Sequence, residues 1–72
     1  EKNVYVYFRY NDNETVMVIL NNSNEKQTFK TSRFTENIKN FKSGKDFLTN
    51  TTINLDNEIS IEGKSAYILE LK

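Results

Sequence analysis

The chain lacks cysteine, histidine, proline and tryptophan, and it has two glycines among its 72 residues. Without cysteine and histidine it has no disulfides, no thiolate nucleophile, no Cys/His zinc site, no haem-attachment motif and no Ser-His-Asp triad. A chain this short buries only about 60% of the surface that its unfolded state exposes. Small domains of this kind usually depend on a disulfide, a metal or a partner, so we expect another domain to supply the support.

An excess of charge of one sign is also missing. Ten basic and ten acidic side chains cancel, and they are scattered along the chain. This balance gives no electrostatic footprint for nucleic acid or an anionic membrane, and no apolar run approaches the roughly 20 residues of a membrane span. We therefore predict no nucleic-acid partner and no membrane partner. The absence of cysteine is compatible with either the bacterial cytoplasm or the periplasm.

Two sets of side chains alternate along residues 4–10, which predicts a first strand with two distinct faces. The set assigned to the core is Val4, Val6, Phe8 and Tyr10. The opposite face carries Tyr5, Tyr7 and Arg9. A polar turn over residues 11–14 leads to a second strand, residues 16–20, whose side chains are apolar on both faces. Such a strand is expected to be central and covered on each side.

The middle of the chain changes period. After a weaker strand near residues 26–30, the apolar residues Phe34, Ile38 and Phe41 lie at i, i+4 and i+7. This spacing predicts one short helical turn near residues 33–41, with Thr31 or Ser32 as its N-cap. The segment 43–45 is predicted to end the helix, and the segment 46–48 to begin the next extended stretch.

Alternation returns after residue 51. Ile53 and Leu55 precede a polar turn, and Ile59 and Ile61 follow it. Matching the apolar residues predicts a hairpin centred on Asn57, with Leu55 opposite Ile59 and Ile53 opposite Ile61. A last strand, residues 66–71, is apolar on both faces. Together these segments predict an all-β fold, a small antiparallel Greek-key-like β-sandwich of six to seven strands in a single domain, residues 1–72.

Catalytic chemistry on sugars needs two carboxylates about 5–10 Å apart across a concave site. Four acidic residues are candidates for such a catalytic pair, and all of them lie in predicted turns: Asp12, Glu14, Asp56 and Glu58. Their spacing does not match an EF-hand calcium loop, and solvated turn residues are the simpler interpretation. We predict no catalytic residue, no metal ligand and no cofactor site in this chain.

Tyr5 and Tyr7 are the sharpest candidates for a binding surface. Residues two apart on one strand face stand about 6.6 Å apart, so the two rings can stack on sugar faces, and Arg9 can add hydrogen bonds. The alternative is that this face packs under a neighbouring domain or loop. The absence of tryptophan favours packing. The sequence thus leaves Tyr5, Tyr7 and Arg9 as a possible carbohydrate or domain-docking surface.

The order of the segments resembles a known family. The relevant stretches are "VYFRY", "VMVILNNS", "RF" opening the helical turn, "GKDFLTNTTINL" and "AYILEL". From about Val4 to Leu71 they are similar to the C-terminal domain of α-amylase-superfamily glycoside hydrolases of the cyclomaltodextrinase and neopullulanase type. That family usually has Asp-aliphatic-Leu-Thr-Gly where this chain has residues 46–50. Asn50 in place of glycine still suits a left-handed turn, whereas Phe47 in place of an aliphatic residue requires more core volume.

The resemblance implies an antiparallel sandwich appended to a catalytic (β/α)8 barrel and covering part of the barrel surface. In such enzymes the catalytic acids lie on the barrel loops, so this chain would be inactive. Its parent would cleave α-1,4-glucosidic bonds in starch-derived oligosaccharides or cyclodextrins. Because the chain starts with Glu1, we expect a C-terminal domain of a longer enzyme. Two alternatives stay open, a starch-binding module that uses Tyr5 and Tyr7, and a surface adhesion or assembly sandwich with an open edge strand.

Overall fold

The computed structural model describes residues 3–72, which form seven β-strands and one short helical segment. The strands are β1 Val4–Tyr10, β2 Thr15–Asn21, β3 Gln27–Lys30, β4 Ser43–Asp46, β5 Thr52–Asn54, β6 Glu58–Ile61 and β7 Ser65–Leu71. The helical segment is a 3-10 turn, Thr31–Phe34, followed by α1, Thr35–Ile38. The predicted all-β fold with one helical turn is confirmed. Across residues 3–72, no helix has the length and apolar character that a membrane crossing needs.

The strands form two antiparallel sheets. The larger sheet has five strands in the order β1-β2-β7-β4-β5, and the smaller sheet pairs β3 with β6. β7 returns beside β4 after the chain has passed through β5 and β6, which is a Greek-key connection with β6 transferred to the second sheet. The small sheet and the helical segment contribute buried side chains to the same core as the large sheet.

The core lies between the two sheets. Its buried side chains are Val4, Met17, Ile19, Phe29, Ile38, Leu55, Ile59, Ile61, Leu69 and Leu71. The helical stripe was predicted correctly, because Ile38 is buried while Phe34 and Phe41 pack against the core. The predicted N-cap is wrong. Thr31 is instead buried, and its hydroxyl donates a hydrogen bond to the Asn57 carbonyl at 3.1 Å.

Tyr10 does not belong to the core as predicted. Its side chain is 62% exposed, whereas Val4 is buried and Val6 and Phe8 are half-buried. The alternation of side chains along β1 correctly predicts the side of the sheet on which Tyr10 lies. It does not predict how far the opposing sheet extends. Because β3 and β6 have four residues each, they cannot cover all seven residues of β1. The Tyr10 hydroxyl accepts a hydrogen bond from Asn37 Nδ2 at 2.7 Å.

The second strand is central, as predicted, but it is covered on one side only. Met17 and Ile19 point toward the small sheet and are fully buried. Leu20 points to the opposite side and is 44% exposed. No element of residues 3–72 forms a layer over that side, so an apolar face of the large sheet is left open.

The predicted hairpin over residues 53–61 is wrong in its pairing. β5 pairs with β4, which places Ile53 opposite Gly44. β6 pairs with β3, which places Ile59 opposite Phe29. Apolar matching identified inward-facing residues, but it cannot say which strand lies beside them, because both sheets carry apolar residues at inward positions.

The segment 43–48 also differs from the prediction. Residues 43–46 form the strand β4, and the turn follows it. Gly44 lies within this strand, and the position requires glycine because a Cβ there would lie 2.8 Å from the Cβ of Leu69. Phe47 is 55% exposed, so the expected demand for core volume is wrong.

Asn50 has φ of 66°, which confirms the left-handed backbone expected at the end of this turn. Asn50→Gly is expected to change the free energy of unfolding by less than about 1 kcal/mol, since glycine adopts this conformation freely but loses more entropy on folding. Asn50→Val is expected to lower it by about 1–2 kcal/mol, because a β-branched residue is strained at positive φ. Urea denaturation of the two variants checks this difference. Equal stabilities would contradict it.

Candidate functional site

We call the side of the five-stranded sheet that points away from β3 and β6 the outer face. The β1–β2 register places the three candidate residues there. Each lies directly opposite an apolar residue of β2, in the pairs Tyr5–Leu20, Tyr7–Val18 and Arg9–Val16. Residues opposite one another in a sheet project to the same side, so aromatic and aliphatic side chains adjoin along two strands.

The apolar surface continues across β7. On that strand Ala66 lies opposite Leu20 and Ile68 lies opposite Val18. The Phe47 amide then donates a hydrogen bond to the Ile68 carbonyl at 2.9 Å, which brings Phe47 beside β7 on the same face. One row thus crosses three strand spacings, about 14 Å, without a charged residue. The members of this row are Tyr7, Val18, Ile68 and Phe47.

The outer face is open to solvent. The exposed fractions are 55% for Tyr5, 54% for Tyr7, 44% for Leu20 and 55% for Phe47. Antiparallel sheets that face water normally alternate apolar residues inside with polar residues outside. Here β2 is apolar on both sides, and the outer side of β7 is apolar at Ala66 and Ile68, with Glu70 at one end. This is the pattern of a sheet with a layer on each face. Large contiguous apolar patches on soluble proteins mark interaction surfaces.

One end of the outer face is more polar. An open depression of about 470 Å³ lies there, lined by Tyr7, Arg9, Tyr10, Asn11, Glu14, Val16, Val18 and Ile68. Within residues 3–72 the hydroxyls of Tyr5 and Tyr7 and the guanidinium of Arg9 form no hydrogen bond or salt bridge. These polar groups are therefore available to a partner that approaches from outside.

The turn acids lie apart from this surface or at its margin. Asp12 and Glu14 belong to the β1–β2 turn, where Asn11 Oδ1 accepts hydrogen bonds from the amides of Asn13 and Glu14 at 2.8 Å each. Asp56 and Glu58 are exposed at the start of β6, in the other sheet. Among the described residues no group of three or more acidic side chains is arranged to hold a metal ion.

Asp46 is a buried carboxylate that the sequence analysis did not single out. Its Oδ1 accepts a hydrogen bond from the Ile68 amide at 3.0 Å, and its Oδ2 accepts one from the Thr49 hydroxyl at 2.9 Å. These bonds fix the turn that carries Phe47 onto the outer face. An aspartate three residues before a threonine at a turn is the sequence signal that indicates such a role.

Leu20, Ile68 and Phe47 are members of the outer face that the sequence analysis assigned to a covered sheet or to the core. The informative signal was present, because residues 16–20 and 66–71 are apolar on both faces. That signal indicates a need for cover on both sides. It does not indicate whether the cover comes from the same domain.

Two antiparallel sheets, a Greek-key connection and an open apolar sheet face define a β-sandwich domain. A family model described as the cyclo-malto-dextrinase C-terminal domain matches residues 1–70. The chain belongs to this family, the C-terminal domains of cyclomaltodextrinase-type glycoside hydrolases, and the resemblance drawn from its sequence is confirmed. A search of the curated proteins found no match to the chain.

Proposed function

We propose that residues 1–72 form a non-catalytic C-terminal domain that packs on the catalytic (β/α)8 barrel of the same polypeptide and stabilises it. The parent enzyme would degrade starch-derived maltooligosaccharides or cyclodextrins by hydrolysis of α-1,4-glucosidic bonds, an assignment that rests on family analogy. The observation that carries the proposal is the outer face, where no element of residues 3–72 covers the apolar side chains of two central strands.

The energy available from covering this face is large for so small a domain. Full burial of a large apolar side chain contributes about 1.5–3 kcal/mol of stabilising free energy. Burying the remaining exposed half of a residue on the outer face would therefore contribute about 1 kcal/mol. Burying Tyr5, Tyr7, Leu20 and Phe47 would then contribute about 4 kcal/mol. A core of this size supplies only about 3–5 kcal/mol by itself. Docking would therefore decide whether the domain stays folded under stress.

A non-catalytic role fits the placement of the acidic residues. Asp12 and Asp56 are exposed in turns of different sheets, and Glu36 makes a solvent-exposed contact of 3.7 Å with Lys39. Asp46 is buried and its oxygens are occupied by hydrogen bonds of the fold. Asp56 and Glu58 both border an open depression of about 640 Å³, which Lys30 and Lys39 also line. The two acids are exposed and lie two residues apart in one turn, which suits solvated turn residues better than an acid pair placed across a substrate.

The test compares the two sides of β2. Val18→Thr with Leu20→Thr makes the outer side polar and places β-branched residues, which favour strands, at both sites. We expect this outer variant to change the unfolding free energy of the isolated chain by less than about 1 kcal/mol, because both sites already contact water. In the full polypeptide the outer variant should lower the thermal unfolding midpoint of the whole enzyme. Docking would then bury two threonine hydroxyls, and burying a hydroxyl without a hydrogen-bond partner costs free energy.

The matched control is Met17→Thr with Ile19→Thr on the inner side of the same strand. Both side chains have 0% exposure. Each substitution is expected to cost about 2–4 kcal/mol, so the inner variant should be unfolded in isolation. If the outer variant leaves the midpoint of the full polypeptide unchanged, the docking proposal is wrong.

A second candidate function is maltooligosaccharide binding at the depression beside Tyr7 and Arg9. It is favoured by the exposed rings of Tyr5 and Tyr7 and by the guanidinium of Arg9, which has no partner within residues 3–72. An NMR titration of the chain with maltoheptaose separates the two functions. Saturable amide shifts confined to Tyr5, Tyr7 and Arg9 would support a sugar-binding module, and unchanged spectra up to millimolar ligand would leave the tyrosines as docking residues.

A further inference from the structure

The free edge of β1 is a second surface, distinct from the outer face. β1 is an edge strand of the five-stranded sheet, and it has seven residues, whereas the other edge strand, β5, has three. Natural proteins usually protect long edges with proline, lysine, a bulge or a covering loop. β1 contains no proline and one charged residue, Arg9. An edge of this composition is suited to pairing with another strand.

The hydrogen bonds at both ends of the β1–β2 pair show which backbone groups are free. Asn22 donates to the Asn3 carbonyl at 2.8 Å, and Asn11 donates to the Glu14 carbonyl at 3.0 Å. Because bonded and non-bonded pairs alternate in an antiparallel ladder, the odd-numbered residues of β1 bond to β2. The even-numbered residues direct their N–H and C=O groups away from the sheet. These residues are Val4, Val6, Phe8 and Tyr10.

The outward backbone groups have no other partner in the fold. Within residues 3–72, the amides and carbonyls of the four even-numbered residues take part in no further hydrogen bond, from backbone or from side chain. The adjacent helical segment contacts β1 through side chains, with the Phe8 and Phe34 ring centroids 6.0 Å apart. The edge is therefore bordered by the helical segment but not hydrogen-bonded to it.

We propose that β1 pairs antiparallel with β1 of a second copy of the chain, so that two five-stranded sheets join into one sheet of ten strands. In the proposed register Tyr7 lies opposite Tyr7 of the second copy on a two-fold axis. This register aligns the whole strand and sets Val4 opposite Tyr10 and Val6 opposite Phe8. Each of these pairs exchanges two hydrogen bonds through the backbone groups that are otherwise free.

Charge selects the antiparallel orientation. In the proposed register Arg9 lies opposite the aromatic ring of Tyr5 from the second copy, where a cation–π contact is favourable. The two Arg9 side chains are then at opposite ends of the interface. A parallel pair in register would place them side by side, and like charges in adjacent positions destabilise a sheet. The antiparallel register places Arg9 opposite an aromatic ring at both ends of the interface, so the edge is complementary to itself and a second copy of the chain matches its pattern.

The inner side of the edge also has room for the second copy. A depression of about 190 Å³ adjoins β1 and is lined by Val4, Val6, Phe29, Arg33 and Phe34. In the proposed register Tyr10 of the second copy lies opposite Val4, at the mouth of this depression. Tyr10 is an inward-facing residue that its own small sheet does not cover, and the pairing would cover it.

This pairing does not depend on the proposed docking function. It uses backbone groups at the lateral edge, whereas docking uses side chains of the outer face. The mass of the chain in solution reports on the pairing, and the thermal midpoint of the full polypeptide reports on docking. Either proposal can therefore fail while the other holds.

The test uses sedimentation velocity on the chain up to about 1 mM, since an interface of one strand pair is small and belongs to the weak, transient class. We expect a reversible increase from the mass of one chain to that of two. Tyr7→Lys and Tyr7→Glu should each weaken the dimer about tenfold or more, because each places like charges directly opposite one another on the two-fold axis. An equimolar mixture of the two variants should restore dimers, since the charges are then opposite in sign.

Leu20→Lys is the matched control. It adds the same charge to the same face one strand further from the edge, and it should leave the dimer affinity within about twofold. Amide exchange gives a second readout, in which Val6 and Phe8 become slower to exchange as concentration rises while Tyr5 and Tyr7 do not change. A chain that stays monomeric throughout the range overturns the proposal. So does a dimer that Leu20→Lys disrupts, or a Lys/Glu mixture that fails to associate.

Discussion

Gly63→Ala is expected to unfold the chain at 25 °C. A Cβ at this position would lie 2.4 Å from the carbonyl oxygen of Asn24, 2.5 Å from its carbonyl carbon and 2.8 Å from the Glu25 amide nitrogen. All three are backbone atoms, so no side chain can rotate away to make room. Overpacking typically costs about 1–3 kcal/mol and more where the backbone must move. That range approaches the whole stability of about 3–5 kcal/mol expected for a core of this size.

The Asn24 backbone cannot retreat, because hydrogen bonds hold the residues on either side of it. Lys64 donates its amide to the Ser23 carbonyl at 2.8 Å, and Asn21 Nδ2 donates to the Glu25 carbonyl at 2.9 Å. The loop over residues 22–25 is thereby bound to the loop over residues 62–64. Moving Asn24 away from a new methyl group would break one of these bonds or shift β7, which is a central strand of the large sheet.

Far-UV circular dichroism with thermal and urea denaturation measures the effect of Gly63→Ala. Glu62→Ala is the control, since Glu62 is the exposed neighbour in the same loop and its loss should change stability by less than about 0.5 kcal/mol. Retention of the wild-type midpoint by the Gly63 variant would show that the two loops can separate at little cost.

The sequence predicts the structure well where the spacing of apolar residues along a short segment determines it. Alternation over residues 4–10 predicts β1 and the side on which Tyr5 and Tyr7 lie. The i, i+4, i+7 stripe at Phe34, Ile38 and Phe41 predicts the helical segment and its buried side. These features depend on neighbours along the chain, and the three-dimensional partner does not alter them.

Features that depend on distant residues could not be predicted in the same way. The glycine at position 44 predicts a break in the chain, because the sequence does not show that Leu69 lies against it. Ile53 and Ile59 were paired with the wrong strands because apolar residues match any inward position. Tyr10 was assigned to the core because alternation says nothing about the length of the opposing sheet.

The candidate site was predictable in part for the same reason. Tyr5, Tyr7 and Arg9 share a strand, so their common face follows from alternation alone. Leu20, Ile68 and Phe47 join them through strand order and through a turn held by hydrogen bonds across the sheet. The apolar character of β2 and β7 on both faces did indicate two covering layers. The small sheet is one, and we propose that the second belongs to a catalytic barrel.

Asn21→Leu is expected to lower the free energy of unfolding by about 3 kcal/mol or more, because leucine leaves buried backbone groups without partners at about 1–3 kcal/mol each. Asn21 is fully buried at the end of β2. Its Nδ2 donates to the carbonyls of Glu25, Ile61 and Glu62 at 2.9, 3.1 and 3.1 Å. Its Oδ1 accepts from the Ser23 amide and hydroxyl at 2.9 and 2.8 Å.

Asn21→Asp tests whether the amide acts as a donor or only fills space. The introduced carboxyl has nearly the same shape, but when ionised it points an oxygen at three carbonyl oxygens in a buried site. Burial and these oxygens should raise its pKa in the folded chain above the value of about 3.9 in the unfolded chain. An acid with a raised folded pKa stabilises the fold only while it is protonated, so the variant should gain stability relative to wild type as pH falls from 7 toward 3.

Asn24→Asp is the matched control, because it adds the same charge to the same loop at an exposed position. Its stability should follow the wild-type pH profile closely. If Asn21→Asp follows that profile too, its carboxylate finds solvent and the two loops are not closed around it. If the variant instead recovers stability at low pH, a single O–H donating to one of the three carbonyls is enough to hold the loops together. The amide of Asn21 would then be the group that fixes the small sheet against the end of the large one.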